Sequence, residues 1–266
     1  MRKKTLPAVI IFFAVWLFPA AALTEPAPPE NDRGIPILVY HRFGPKVADS
    51  MTVTNSVFES HLKYLKEHGF RILPLRDVVE QYLGKGRRAD SPIAALTADD
   101  GHISVYTDAL PLLKKYRVPM TLFIYPSAIS NASYAMTWNQ LRELKTSGLF
   151  DFESHTYWHP NFKKERARLQ TPDYEKLVAT QLRKSREVLE RQLSHPVKML
   201  AWPFGIYDPL LEARAAEAGY SAAFSIDRHR ASSSDRRMAI PRYLMSNADR
   251  GKAFEYIVGG SNVSVN

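Results

Sequence analysis

The chain has 266 residues, 45% of them hydrophobic and 24% charged, a globular balance with enough length for a sizeable core. It contains no cysteine, which excludes disulfides, cysteine-ligated zinc, iron–sulfur clusters and a thiol nucleophile, so a metal site has to use His, Asp or Glu. The formal charge is +9, three units of it in Arg2, Lys3 and Lys4; this excess suits an anionic envelope or matrix, and without an arginine-rich arm it does not point to nucleic acid.

Arg2, Lys3 and Lys4 precede an apolar run from Leu6 to Phe18. Pro19-Ala20-Ala21-Ala22 follows, with Ala20 and Ala22 in the spacing of an export-signal cleavage site. Residues 1–22 therefore read as a signal peptide, and the mature protein is expected in the periplasm, at the cell surface or outside the cell. An uncleaved anchor is the alternative, but the run falls short of the roughly 20 residues that a membrane span needs. Residues 23–34, with Pro26, Pro28 and Pro29, read as a linker, and 35–266 as one folded domain.

Within that domain short apolar runs alternate with amphipathic segments. Strands are expected at Ile35–Tyr40, Phe70–Leu73, Ile93–Thr97, Met120–Tyr125, Leu149–Glu153, Lys198–Trp202, Ser221–Ser225 and, briefly, Arg242–Leu244. Helices are expected at Val57–His68 with Ser56 as N-cap, at Leu75–Tyr82, and at Ile103–Tyr116 with a break or kink at Pro111. Trp138–Ser147, Asp173–Leu193 and Pro209–Ala218 complete the set; Leu177, Leu182, Leu189 and Leu193 are the expected core contacts of the longest. Repeated strand–helix units predict an α/β fold, a distorted or incomplete (β/α) barrel with about seven parallel strands. An open doubly wound sheet is the alternative, but no glycine-rich phosphate loop follows the first strand.

The polar residues of interest fall at strand ends. His41 follows the first strand, Asp99 and Asp100 the third, His155 the fifth, and Pro203 and Phe204 the sixth. In a barrel these ends open on one face, where active sites are assembled. Two adjacent carboxylates stay ionised together only beside a cation, and one bound to a metal leaves the other free as a base. An Asp-Gly turn with a helix N-cap is the plainer explanation of the same residues. His155 and His159, four apart, would face the same way on one helical turn and could share a metal with one carboxylate. Zinc is the default for such a set, and cobalt, nickel, ferrous iron or manganese suit it as well.

These motifs carry a family resemblance. Thr97-Ala98-Asp99-Asp100-Gly101 resembles the Thr-Phe-Asp-Asp-Gly motif of the polysaccharide deacetylases, the carbohydrate esterase group with a NodB-type domain. Ser154-His155-Thr156-Tyr157-Trp158-His159 resembles the family's Ser-His-Thr-x-x-His metal motif, and Ala201-Trp202-Pro203-Phe204-Gly205 its Arg-x-Pro-Tyr motif. The likeness runs from Ile35 to Leu244. Two elements depart from it: no arginine stands two residues before Pro203, and the late Leu-x-His motif that supplies the acid is absent. A subgroup acting on poly-N-acetylglucosamine of biofilms takes its acid histidine from a Tyr-His motif on the first strand, and Tyr40-His41 is similar to that.

The resemblance implies hydrolysis of N-acetyl groups on a hexosamine polysaccharide by a NodB-like catalytic domain at 35–266. Asp100, His155 and His159 would hold the metal and Asp99 would be the general base. His41 would give a proton to the leaving amine, and the backbone N–H of Phe204, beside Pro203, would help to stabilise the oxyanion. Arg242 is the candidate to replace the missing arginine beside Asp99, with an ordinary surface guanidinium as the alternative. Tyr125, Trp158, Trp202 and Phe204 could shape a sugar groove or could be core packing. The rival expectations are a deacetylase of chitin oligomers or peptidoglycan, an amidase acting on a small cyclic amide, and a non-catalytic carbohydrate-binding barrel.

Overall fold

The structure is a computed structural model that describes residues 34–87 and 89–259. The expected signal peptide, and the linker as far as residue 33, lie outside the described residues.

The strands in chain order are β1 (Ile37–Tyr40), β2 (Arg42–Gly44), β3 (Thr52–Thr54), β4 (Arg71–Ile72), β5 (Ile93–Asp99), β6 (Met120–Ile124), β7 (Phe150–Ser154), β8 (Met199–Ala201), β9 (Ala222–Phe224) and β10 (Tyr243–Leu244). Seven form one parallel sheet in the order β10-β1-β5-β6-β7-β8-β9; β4 pairs with the start of β5, and β2 and β3 pair with each other. The expected incomplete barrel is therefore present.

Helices cover the outside. They are α1 (Asn55–Glu67), α2 (Leu75–Asp77), α3 (Leu110–Tyr116), α4 (Trp138–Thr146), α5 (Phe162–Arg168), α6 (Thr171–Leu193), α7 (Pro209–Glu217) and α8 (Lys252–Gly259). The cap of α1 is Thr54, whose hydroxyl accepts from the Val57 N–H, rather than Ser56. Wider π-helical turns occur at Val78–Gly84 and at Val105–Ala109, so the helix expected from Ile103 starts as a π turn; α3 continues it from Leu110, whose N–H donates to the Val105 carbonyl, and Pro111 falls where the wide turns give way to the α-helix. Leu177 is only partly buried, and Tyr174 and Val178 take the core position beside it. The short α5, α8, β2 and β3 were not expected from the sequence pattern.

Period two sorts each strand into an outer and an inner set. Leu38, Tyr40, Leu96, Ala98, Leu122 and Ile124 point outward into a core shared with the helices. Ile37, Ala95, Phe123, Met199, Ala201, Ala222, Phe224 and Ile240 form a second, inner cluster, to which α2 and the turn after it add Leu75, Val78 and Val79. On β5 the inner parity is Ala95, Thr97, Asp99, so Asp99 enters the barrel interior at the carboxyl end of its strand.

The open side of the barrel is bridged by residues 240–245. Ile240 exchanges backbone hydrogen bonds with Ala223 and Ser225 beside β9, while Tyr243 and Leu244 pair with Leu38 and Val39 of β1. Arg242 lies between these two attachments, two residues on from inward-facing Ile240, and is directed into the interior by the same parity.

Candidate active site

Asp99 and Asp100 are separated by a sharp change of backbone. Asp99 ends β5, whereas Asp100 and Gly101 have φ of 74° and 76°. Asp and Gly are residue types that tolerate the left-handed region, and the turn brings the second carboxylate to the barrel mouth. The Gly101 carbonyl accepts from the Met136 N–H and the Ile103 N–H donates to the Tyr134 carbonyl, which ties this turn to the loop after β6.

Arg242 is fully buried and Asp99 is 2% exposed. The guanidinium forks onto the carboxylate, Nη1 to Oδ1 at 2.8 Å and Nη2 to Oδ2 at 2.7 Å. Its Nε donates to the Ser225 carbonyl and its Nη1 also reaches Thr97 Oγ1, while Phe123 and Phe224 flank it with ring centroids at 5.1 and 5.9 Å. Burial alone would raise the Asp99 carboxyl, but the Arg242 charge beside it, helped by His155, outweighs that and holds it down to about 2. Asp99 is therefore an ionised, fixed acceptor.

Asp100, His155 and His159 converge. Asp100 Oδ1 is buried with no hydrogen-bond partner, 3.6 Å from His155 Nε2 and 3.7 Å from His159 Nε2. His155 Nδ1 donates to the Ala201 carbonyl at 2.8 Å, which leaves the Nε2 lone pair aimed at the carboxylates. Burial drives His155 down to about 3 and lowers His159, so neither contact is an ion pair, and burial raises Asp100. One donor atom from each of the three residues lies within 4.8 Å of the others. Ligands about 2.1 Å from a tetrahedral zinc are about 3.4 Å apart, so these separations fit a cation at the centre better than they fit direct hydrogen bonds. The residues present thus suit a divalent metal.

The histidines do not share a helical turn. They lie on an irregular loop after β7, with Thr156 and His159 both at left-handed φ, 64° and 62°. The loop curls back on itself and the imidazole centroids come within 4.6 Å of each other, edge to face. Convergence here comes from left-handed residues, where the four-residue spacing had pointed to a helix.

His41 reaches the same mouth. Tyr40 is level with Ala98 in the β1–β5 ladder, which places His41 beside Asp99, and a charge on His41 favours ionisation of both Asp99 and Asp100. Its Nδ1 is buried without a partner. Pro203 is buried and opens a 3-10 turn, whose second residue, Phe204, has φ of 56°. An N–H in the first turn of a helix has no partner within the helix, so that of Phe204 is not used by its own turn. The Phe204 ring is 57% exposed and packs edge-on against His159 at 4.6 Å.

The other aromatics divide. Trp158 is exposed, and Tyr125 packs on His159 and shares a hydroxyl–hydroxyl hydrogen bond with Tyr134. Trp202 is core: it is buried, with Nε1 donating to the Met238 carbonyl, because outward parity on β8 carries it away from the mouth. Tyr134, exposed beside the site and stacked on His102, escaped the sequence analysis since it sits in a loop without periodicity.

The polysaccharide deacetylase family model matches residues 86–223, a stretch holding both aspartates, both histidines and Pro203-Phe204. The chain belongs to the polysaccharide deacetylase family. It is 27% identical over 224 residues to a poly-beta-1,6-N-acetyl-D-glucosamine N-deacetylase of Staphylococcus aureus strain MRSA252, covering 83% of this chain and 75% of that one. The Staphylococcus epidermidis enzyme of the same name is 26% identical over 219 residues, 81% and 74% of the two chains. Among solved structures, the Streptococcus pyogenes deacetylase PplD superposes with a TM-score of 0.75 at 24% identity, over 85% of this chain and 98% of that one. IcaB from Ammonifex degensii gives 0.71 at 24% identity, over 82% and 94%. These structural likenesses establish the fold of this polysaccharide deacetylase.

Proposed function

We propose that this deacetylase is metal-dependent and removes N-acetyl groups from a poly-β-1,6-N-acetylglucosamine. The observation that carries the metal is the buried, unpaired Oδ1 of Asp100 lying 3.6 and 3.7 Å from two neutral imidazole nitrogens. The polymer is supported by the named relatives and by Tyr40-His41 at the end of β1, which resembles the Tyr-His motif of the poly-N-acetylglucosamine subgroup.

Asp100, His155 and His159 would hold the ion. A divalent metal, zinc by default, supplies polarisation of the acetamide carbonyl and acidification of a water. Asp99, clamped by Arg242, takes the proton of the attacking water. The Phe204 N–H faces the developing oxyanion. His41 in its protonated form delivers a proton to the amine nitrogen, which cannot leave without one. Trp158, Phe204 and Tyr134 offer flat faces to sugar C–H surfaces around the mouth.

The export expected from residues 1–22 would bring the enzyme to the envelope or the surrounding matrix, where the polymer would be its partner. N-terminal sequencing of the protein from fractionated cells tests this. Catalysis is tested by acetate release from β-1,6-linked N-acetylglucosamine oligomers, chitin oligomers and peptidoglycan strands, before and after chelation. Release from the β-1,6 polymer that chelation abolishes supports the reading. Preference for either other glycan overturns the polymer, and release that survives complete metal removal overturns the metal.

A further inference from the structure

Helix α6 carries two polar residues within its apolar stripe. Tyr174, Val178, Leu182, Leu189 and Leu193 form the stripe, and Gln181 and Ser185 interrupt it, both fully buried. Burying a carboxamide is unfavourable unless its groups are hydrogen-bonded. Gln181 Nε2 has no partner, so the compensation has to come from Oε1.

That oxygen accepts from two backbone donors at once, the Tyr157 N–H at 3.1 Å and the Trp158 N–H at 2.9 Å. Ser185 Oγ pairs with Ser154 Oγ at 2.8 Å, and Ser154 Oγ accepts from the Thr156 N–H. Thr156 Oγ1 in turn accepts from the His159 N–H, and the His155 N–H donates to the Ile124 carbonyl of β6. All five N–H groups from 155 to 159 are thus held, four of them by side chains. This matters because Thr156 is β-branched and left-handed, and His159 is left-handed too, conformations that persist only where the surroundings impose them.

We propose that Gln181 and Ser185 are positioning residues for the histidine loop, through which α6 sets His155 and His159 in place opposite Asp100. Neither touches the substrate or the ion. The proposal rests on the metal reading above and assigns a purpose to the two polar residues of the stripe. Residues that orient metal ligands change affinity even though they bind no ion themselves.

The test compares wild type with Gln181→Met, Gln181→Glu and Ser185→Ala by calorimetric titration with zinc, the visible spectrum of the cobalt-substituted protein, and thermal melting of the metal-free form. Gln181→Met, similar in volume but without the acceptor, is expected to weaken zinc at least about tenfold and shift the cobalt spectrum, whereas Gln181→Glu, which keeps an acceptor oxygen, stays within about threefold of wild type. Ser185→Ala is expected to weaken zinc by a smaller factor. Wild-type zinc affinity and cobalt spectrum in Gln181→Met, whatever its melting temperature, overturn the proposal. Should Gln181→Met not fold, Ser185→Ala decides: weakened zinc supports the proposal, and unchanged binding overturns it. A wild type that binds no zinc at all overturns the metal reading and the proposal with it, an outcome separable from variants that bind as well as wild type.

Discussion

Arg242 grips both carboxylate oxygens of Asp99, at 2.8 and 2.7 Å, across a sequence separation of 143 and with almost no solvent at either. Arg242→Met leaves Asp99 buried without its partner. Losing one member of a buried pair is expected to cost about 3–5 kcal/mol, read from chemical denaturation at neutral pH. The pH dependence has a definite sign. Asp99 is depressed from 3.8 to about 2, so its contribution is fully present above pH 4 and is lost as pH falls toward 2. Wild type should lose stability across that window, and Arg242→Met should lose less of it there; equal slopes would contradict the assignment.

Asp99→Asn keeps the size of the side chain and removes its charge. Asp100, His155 and His159 are untouched, so zinc content should stay at the wild-type level. Turnover should fall by about 10²–10⁴, the usual range for a lost general base. Metal analysis beside acetate release checks both halves, and full turnover would remove Asp99 from the role of base.

His41→Ala separates the acid from the metal. The ring is not among the candidate ligands, so zinc content and affinity should hold while turnover drops by about 10² or more. An acetyl ester of the same sugar, whose alcohol leaves more readily than an amine, should lose less. Equal losses on ester and amide would argue against proton delivery by His41.

Gly205 follows Phe204 with φ of 66°, and a Cβ there would come within 2.5 Å of Ile226 Cγ1. Gly205→Ala is expected to destabilise the fold by about 1–3 kcal/mol through strain and overpacking. It should also slow turnover, since the turn that presents the Phe204 N–H has to shift. Thermal melting and acetate release measured on the same sample test the pair, and a variant as stable as wild type would show that the turn tolerates the movement.

Much of this site is legible in the sequence. Strand-end placement put His41, Asp99, Asp100, His155 and Phe204 on one face because parallel strands share a carboxyl end. Arg242 was reachable as a candidate but not as a contact: its partner is 143 positions away, and only the bridging of β9 and β1 by residues 240–245 delivers it. The histidine spacing suggested a helix, yet the left-handed Thr156 and His159 bring the rings together by another route, and nothing in a Thr or a His announces that backbone. Gln181 was invisible for a related reason. A glutamine on an amphipathic helix reads as a solvated face, and its burial emerges only once the loop after β7 has docked on α6.

The central claim is that Asp100, His155 and His159 hold the ion that deacetylation requires. Crystals of the zinc-loaded enzyme, with anomalous data at the zinc edge, test it most directly when paired with acetate release from the same preparation before and after stripping. A single strong peak about 2 Å from one oxygen of Asp100 and from Nε2 of His155 and His159, with activity that departs and returns with zinc, is the result expected. No peak at these three atoms, or undiminished acetate release from the stripped enzyme, would contradict it.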